Sequence, residues 1–116
     1  MSVDRSFALR LLMMAATAPL AAARPDVGPE RAVFGKWCAP CHADGPKLAG
    51  TLALETKYQG SIPSALERGT DLTPETVAYF VRHGVAWMAP FRKTEGSDAD
   101  LAAIDAYLSM PPNDRP

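Results

Sequence analysis

Cys38-Ala39-Pro40-Cys41-His42 is the stretch from which the rest of this chain can be read. Two thiols stand two residues apart and an imidazole follows at once, the C-x-x-C-H pattern of covalent haem attachment. Each thiol can add to one vinyl group of the porphyrin, and the short link sets the spacing of the two sulfurs. The next residue then falls beneath the macrocycle, where the His42 imidazole reaches the iron from the proximal side. These are the only two cysteines in the 116-residue chain. A network of structural disulfides is therefore excluded, and the pair has its own chemistry to do.

Three rivals use the same residues. A thioredoxin-type dithiol also shows C-x-x-C, but at the end of a strand in an α/β domain, and nothing around Cys38 reads as strand. A zinc site needs four soft or imidazole ligands. The chain holds two Cys and two His, and His83 is not at a finger-like spacing from His42. A plain Cys38–Cys41 disulfide is the third. The adjacent histidine and the exported character of the chain favour haem c, one group, covalently attached.

That character comes from residues 1–23. Arg5 and Arg10 precede an apolar run from Leu11 to Ala23, interrupted only by Thr17 and Pro19, and Ala21-Ala22-Ala23 forms an A-x-A cleavage pattern. This has the form of a secretory signal peptide, with an uncleaved anchor as the alternative; the apolar run is short for a span. Cleavage near Ala23 makes the protein periplasmic, leaves residues 24–116 as one cytochrome c domain, and leaves no membrane span. It also removes Arg5, Arg10 and Asp4, shifting the formal charge from −1 to −2. That balance argues against nucleic acid or an anionic membrane as partner. A domain this small is marginal on side chains alone, and a buried porphyrin would supply an apolar centre.

The fold class expected is all-α, three to five helices around one haem. Pro29-Glu30 opens a helix with Pro in the first turn, and Val33, Phe34 and Trp37 share a face. Thr51 to Arg68 reads as a loop followed by a short helix over about 63–68. There Tyr58 is a candidate for packing on the haem edge. Thr73-Pro74-Glu75 is an N-terminal signal, Val77, Phe80 and Val81 form a stripe, and Gly84 is a C-cap. His83, in that last turn, suits a capping role better than iron ligation. Ser97-Asp98-Ala99-Asp100 reads as a capping box. Leu101, Ile104, Tyr107 and Leu108 make the last helical stripe, and Asn113 to Pro116 a loose tail.

Gly45-Pro46-Lys47-Leu48-Ala49-Gly50 after the motif resembles the G-P-x-L-x-G loop of class I c-type cytochromes. The resemblance covers most of the chain beyond residue 23. It implies that the Pro46 carbonyl accepts the N–H of His42, that the last helix crosses the first through Phe34 and Tyr107, and that Met88 is the distal ligand. Val85-Ala86-Trp87-Met88-Ala89-Pro90-Phe91 is similar to the family's distal loop, with Ala89 inserted between the methionine and the proline. Trp87 would then wall the haem crevice, and metal ligation would fall to His42 and Met88. The implied role is electron transfer rather than enzymatic catalysis, with redox proteins as partners.

A looser resemblance joins Leu72–Thr76, Arg82–Val85 and Phe91–Glu95 to the cytochrome subunits of flavoprotein dehydrogenases of the p-cresol methylhydroxylase type. It implies an electron-donating flavoprotein subunit and a downstream acceptor, with the Arg92-Lys93 pair near the haem edge as a candidate contact. A free carrier between a respiratory complex and a terminal oxidase is the alternative. A haem sensor or peroxidase is a third reading and needs a displaceable distal ligand.

Overall fold

Pro29 begins the first helix of the computed structural model, which describes residues 28–116. The expected leader over residues 1–23 lies outside them. Helix α1 (Pro29–Trp37) has Pro at its amino end, Glu30 in its first turn and Lys36 in its last, each suited to the helix dipole. It buries Phe34 and half-buries Val33 and Trp37. A single turn, α2 (Ala39–His42), continues from it. The Cys38 carbonyl accepts from both Cys41 N (3.1 Å) and His42 N (2.9 Å), so the whole motif is wound into one helical turn.

Helix α3 (Ala49–Tyr58) occupies a segment that the sequence suggested would be a loop. Gly60 and Pro63 are breakers, but they fall beyond its end. Between Ala49 and Tyr58 the chain is made of residues that tolerate a helix, Leu, Ala, Glu and Lys among them. Gln59 (φ +48°) and Gly60 (φ +83°) adopt left-handed backbone and stop it. The short helix expected near 63–68 shrinks to one 3₁₀ turn, Leu66–Arg68.

Helix α4 (Pro74–His83) begins as its sequence dictates: Thr73 Oγ1 accepts the Thr76 N–H at 3.3 Å. Val77 is buried and Val81 half-buried, but Phe80 turns outward, 37% exposed. Helix α5 (Asp98–Ser109) opens with a reciprocal capping box. Asp100 N donates to Ser97 Oγ (3.0 Å) and Ser97 N to Asp100 Oδ2 (3.2 Å), which satisfies two amide groups that have no partner inside the helix.

Helix α5 packs on both α1 and α4. Phe34 and Tyr107 make the α1–α5 crossing, ring centroids 5.3 Å apart and tilted by 43°, an arrangement aromatic pairs favour. The buried Tyr107 hydroxyl donates to Glu67 Oε1 at 2.6 Å, so its polar tip is satisfied. Phe34, Val77, Ile104, Tyr107 and Leu108 form the core.

The carboxyl end is not the loose tail suggested by its composition. A 3₁₀ turn, Pro112–Asp114, leads into Arg115. Its guanidinium donates to the carbonyls of Tyr107 (3.1 Å), Leu108 (2.6 Å), Gly69 (2.9 Å), Leu66 (3.3 Å) and Glu67. One cation thus caps the end of α5 and the turn at Leu66–Arg68 together.

Candidate haem site

One side of the small core is open. A cleft of about 720 Å³, its mouth included, lies among α1, α2, α4, α5 and the segment between α4 and α5; its inner space is about 190 Å³. The inner space of about 190 Å³ lies below the range of cofactor pockets, roughly 300–1,000 Å³, so a group seated there would keep an edge open to solvent. Val81, Leu101 and Ile104 give it an apolar lining, and Trp37 and Phe91 meet edge to face at 5.8 Å. Cys38, Cys41, His42, Trp87 and Met88 line the same cleft. These five belong to sequence segments far apart, and the fold brings them together.

The thiols differ. Cys38 is half-buried and Cys41 exposed, and both are free. Burial, then the neighbouring Cys41, pushes the Cys38 thiol up to about 11. Burial holds the His42 imidazole below its ordinary value, keeping it neutral and its lone pair available.

The first turn of α3 supports the motif from behind. A Cβ on Gly50 would lie 2.5 Å from His42 Cε1, 2.6 Å from Nδ1 and 2.8 Å from the Cys41 carbonyl. The buried Thr51 hydroxyl lies 2.7 Å from the Ala43 carbonyl, to which it donates, and 3.4 Å from that of Cys41. Thr51 carries no signal in the sequence, where it is one polar residue at the start of a segment that reads as loop.

Pro46 is not placed as expected. It stands exposed, and His42 Nδ1 is buried without a hydrogen-bond partner. Gly50, not the Pro46 carbonyl, is what that edge of the ring meets.

Met88 rides on a tight turn. Val85 and Met88 exchange both backbone hydrogen bonds, at 3.0 and 2.9 Å, across a two-residue loop whose first member, Ala86, has φ +50°. Gly84 (φ +70°) precedes the turn, and a Cβ there would collide with the Met88 carbonyl and come within 2.9 Å of Pro90 N. A glycine is therefore required twice over, for its backbone angle and for the approach of the methionine segment. Trp87 at the tip is fully exposed; it borders the mouth of the cleft and does not close it.

The neighbours sort clearly. Arg82 donates to the carbonyls of Phe91 (3.1 Å) and Gly96 (2.8 Å) and to Asp98 Oδ1 (2.9 Å), a role its sequence position did not announce. His83 is exposed, stacked on Tyr79 at 4.4 Å with Nδ1 against the Tyr79 carbonyl, and does not line the cleft. Tyr58 is not at the cleft either; it sits beside the Lys57 ammonium. Arg92 pairs with Glu95 (3.5 Å) and Lys93 with Asp98 (2.8 Å), all exposed. Among the described residues no helix is long and apolar enough to cross a membrane. Nor do three or more His, Cys, Asp or Glu gather there into a metal site.

The donor set fits haem. Two thiols and a neutral imidazole come from one helical turn, a thioether lies in the same cleft, and Trp37 Nε1, on a residue lining it, is a buried donor without a protein partner. Comparison with known proteins agrees. The model of the family described as cytochrome c oxidase, cbb3-type, subunit III matches residues 26–108. No curated protein and no solved structure gives a match. A cytochrome c domain carries covalently attached haem c and transfers electrons to and from redox partners. The chain belongs to the cytochrome c oxidase, cbb3-type, subunit III family, as a class I monohaem cytochrome c domain with an all-α fold.

Proposed function

We propose that this protein is an exported one-electron carrier in which Cys38 and Cys41 hold the haem by thioether bonds, His42 is the proximal ligand and Met88 the distal one. The observation that carries this reading is the shared cleft: Cys38, Cys41 and His42 and the one methionine of the α4–α5 segment line it together. Met110, the other methionine in the described residues, lies after α5 and packs on the core instead.

The haem supplies an Fe(II)/Fe(III) couple, whose potential His/Met ligation and burial raise relative to bis-His ligation. The chain does the rest. Gly50 and Thr51 fix the plane and height of the His42 turn. Val81, Leu101 and Ile104 exclude water from the inner face. Gly84 seats the methionine segment. His42 and Met88 would hold the iron from a largely preformed cleft, so that a change of its charge by one electron would call for little rearrangement of the chain. Trp87, at the mouth, is the residue a partner meets first.

The test is the near-infrared Met–Fe charge-transfer absorption of the oxidised protein. It should be present in wild type and in Met110→Ala and lost in Met88→Ala. Its absence in wild type would remove Met88 from the ligand set and favour a sensor or peroxidase with an open distal side.

For the donor we propose a flavoprotein dehydrogenase, on the similarity of Leu72–Thr76, Arg82–Val85 and Phe91–Glu95 to cytochrome subunits of that kind. The second reading is delivery to a terminal oxidase, which the printed name of the matching family favours. Stopped-flow mixing separates them. Rapid reduction by a 4-alkylphenol-oxidising flavoprotein supports the first; reduction only by a quinol-oxidising complex, with rapid oxidation by a terminal oxidase, supports the second. Residues 1–23 are proposed as the leader that directs the chain to the periplasm and leaves 24–116 as the mature domain. The amino-terminal sequence of the secreted protein tests this.

A further inference from the structure

We propose that Arg82 is a positioning residue for Met88, holding the segment that carries the sulfur and so setting how firmly that sulfur competes for the iron. The inference rests on the reading of Met88 as distal ligand.

Met88 sits in the irregular stretch between α4 and α5, where regular secondary structure fixes nothing. Its own turn, Val85–Met88, is closed only on itself. Where the stretch leaves α4, Gly84 N donates to the Phe80 carbonyl at 2.8 Å, and farther along it is tied back by backbone through Phe91 N to the Val81 carbonyl at 2.8 Å. The remaining hydrogen bonds between α4 and the stretch come from the Arg82 side chain. One guanidinium nitrogen donates to the Phe91 carbonyl (3.1 Å) and, farther along, to the Gly96 carbonyl (2.8 Å). The other donates to Asp98 Oδ1 (2.9 Å), at the first position of α5. Two points of the stretch, its middle at Phe91 and its far end at Gly96, and the first residue of α5 are thus pinned to one residue in the last turn of α4.

This is more than a surface ion pair. The Arg82 side chain is 18% exposed against 65% for Asp98, and Gly96 is buried. Removing the guanidinium strips shielded carbonyls of their donor. A planar fork with several fixed N–H groups serves separate acceptors at once; a lysine ammonium is a single point charge on a flexible stem. Phe91, to which the clamp attaches, is three residues from Met88 and lines the cleft beside it. A thioether is a weak ligand and keeps its place through its effective concentration, which falls as its tether loosens.

The experiment titrates the oxidised holoprotein with imidazole and follows the Soret band. Wild type, Met88→Ala, Arg82→Ala, Arg82→Lys and Arg115→Ala are compared, with a thermal unfolding curve for each. Met88→Ala should bind imidazole most tightly. Arg82→Ala should bind about tenfold more tightly than wild type, and Arg82→Lys should lie closer to Arg82→Ala than to wild type. Arg115→Ala should lose stability and keep the wild-type affinity. If Arg82→Ala and Arg82→Lys keep wild-type affinity while Met88→Ala gains, the clamp is overturned and Met88 ligation stands. The clamp is equally overturned if Arg115→Ala gains as much as the Arg82 variants, because loss of stability alone then explains the effect. If Met88→Ala matches wild type, Met88 is not the ligand and both readings fall. Should Arg82→Ala fail to fold, Arg82→Lys decides the matter on the same scale.

Discussion

Gly50 lies against the His42 imidazole so closely that a methyl group in its place would stand 2.5 Å from Cε1 and 2.8 Å from the Cys41 carbonyl. Gly50→Ala sets two effects against each other. Alanine in a helix gains up to about 1 kcal/mol over glycine. The collision costs about 1–3 kcal/mol, and neither a ring held in a helical turn nor a backbone carbonyl gives way cheaply. The collision should win. Thermal unfolding of the holoprotein should show a net loss of about 1–2 kcal/mol, together with a shifted potential, because the ring itself must tilt. A variant as stable as wild type with an unchanged potential would show that the His42 turn is free to move.

Cys38 and Cys41 should differ in the haem-free protein. With the Cys38 thiol pushed up to about 11 by burial, only about one molecule in a thousand carries its thiolate at pH 8. Iodoacetamide at that pH should label the exposed Cys41 and spare Cys38, as peptide mass mapping would reveal, and labelling of Cys38 should rise as pH approaches 11 or when urea opens the fold. Equal labelling of the two at pH 8 would contradict the burial seen at Cys38.

Asp98 joins Arg82 and Lys93. The Lys93 hydrogen bond, with further help from the charges of both cations, holds its carboxyl below the ordinary value against an opposing desolvation. A carboxyl whose pKa is lower folded than unfolded stabilises the fold above its unfolded value, about 3.9, and loses that contribution as pH falls through the folded value. Asp98→Asn should therefore be less stable than wild type at pH 7, with the two denaturation curves converging below about pH 4. A gap that persists unchanged into acid would mean that packing, not charge, is what Asp98 contributes.

Arg115 should behave as part of the fold. Replacing it by alanine deprives carbonyls in α5 and in the Leu66–Gly69 turn of one shared cationic donor. With charged hydrogen bonds worth about 1.5–3 kcal/mol, Arg115→Ala should lower Tm by about 10 °C in a domain of this size. A shift of only a degree or two would restore the picture of a dispensable tail.

Helices α1, α4 and α5 were legible because their signals are local. Pro29, Thr73-Pro74 and the Ser97–Asp100 box each state a helix start within four residues, and Gly84 states an end. The Phe34–Tyr107 crossing followed from a stripe on each helix and a family likeness. Helix α3 is hidden in the sequence because the segment carries no start signal and its apolar residues run on into Gly60 and Pro63, which lie outside it. Arg82 and Arg115 were illegible for another reason. Except for Asp98, their partners are backbone carbonyls, which every residue carries, so no residue type marks the far end of those bonds. The likeness drew attention to Gly50 through its loop, but only the structure shows what it touches. The same likeness pointed to Pro46 as the partner of His42, and there the imidazole has turned its edge to Gly50 instead.

The contacts that close the fold come late in the chain. Phe34 waits for Tyr107, and the Leu66–Gly69 turn waits for Arg115, whereas Cys38 to His42 are made early. A polypeptide emerging amino end first therefore passes through a stage in which the motif exists and its lid does not. During that interval Cys38 lacks the burial it has in the haem-free fold. Access to the Cys38 sulfur is therefore widest before the last helix arrives, because Leu101 and Ile104 of α5 line the same cleft. Assembly of this protein is then a matter of sequence in time as well as in space, with α5 and Arg115 closing over work already done.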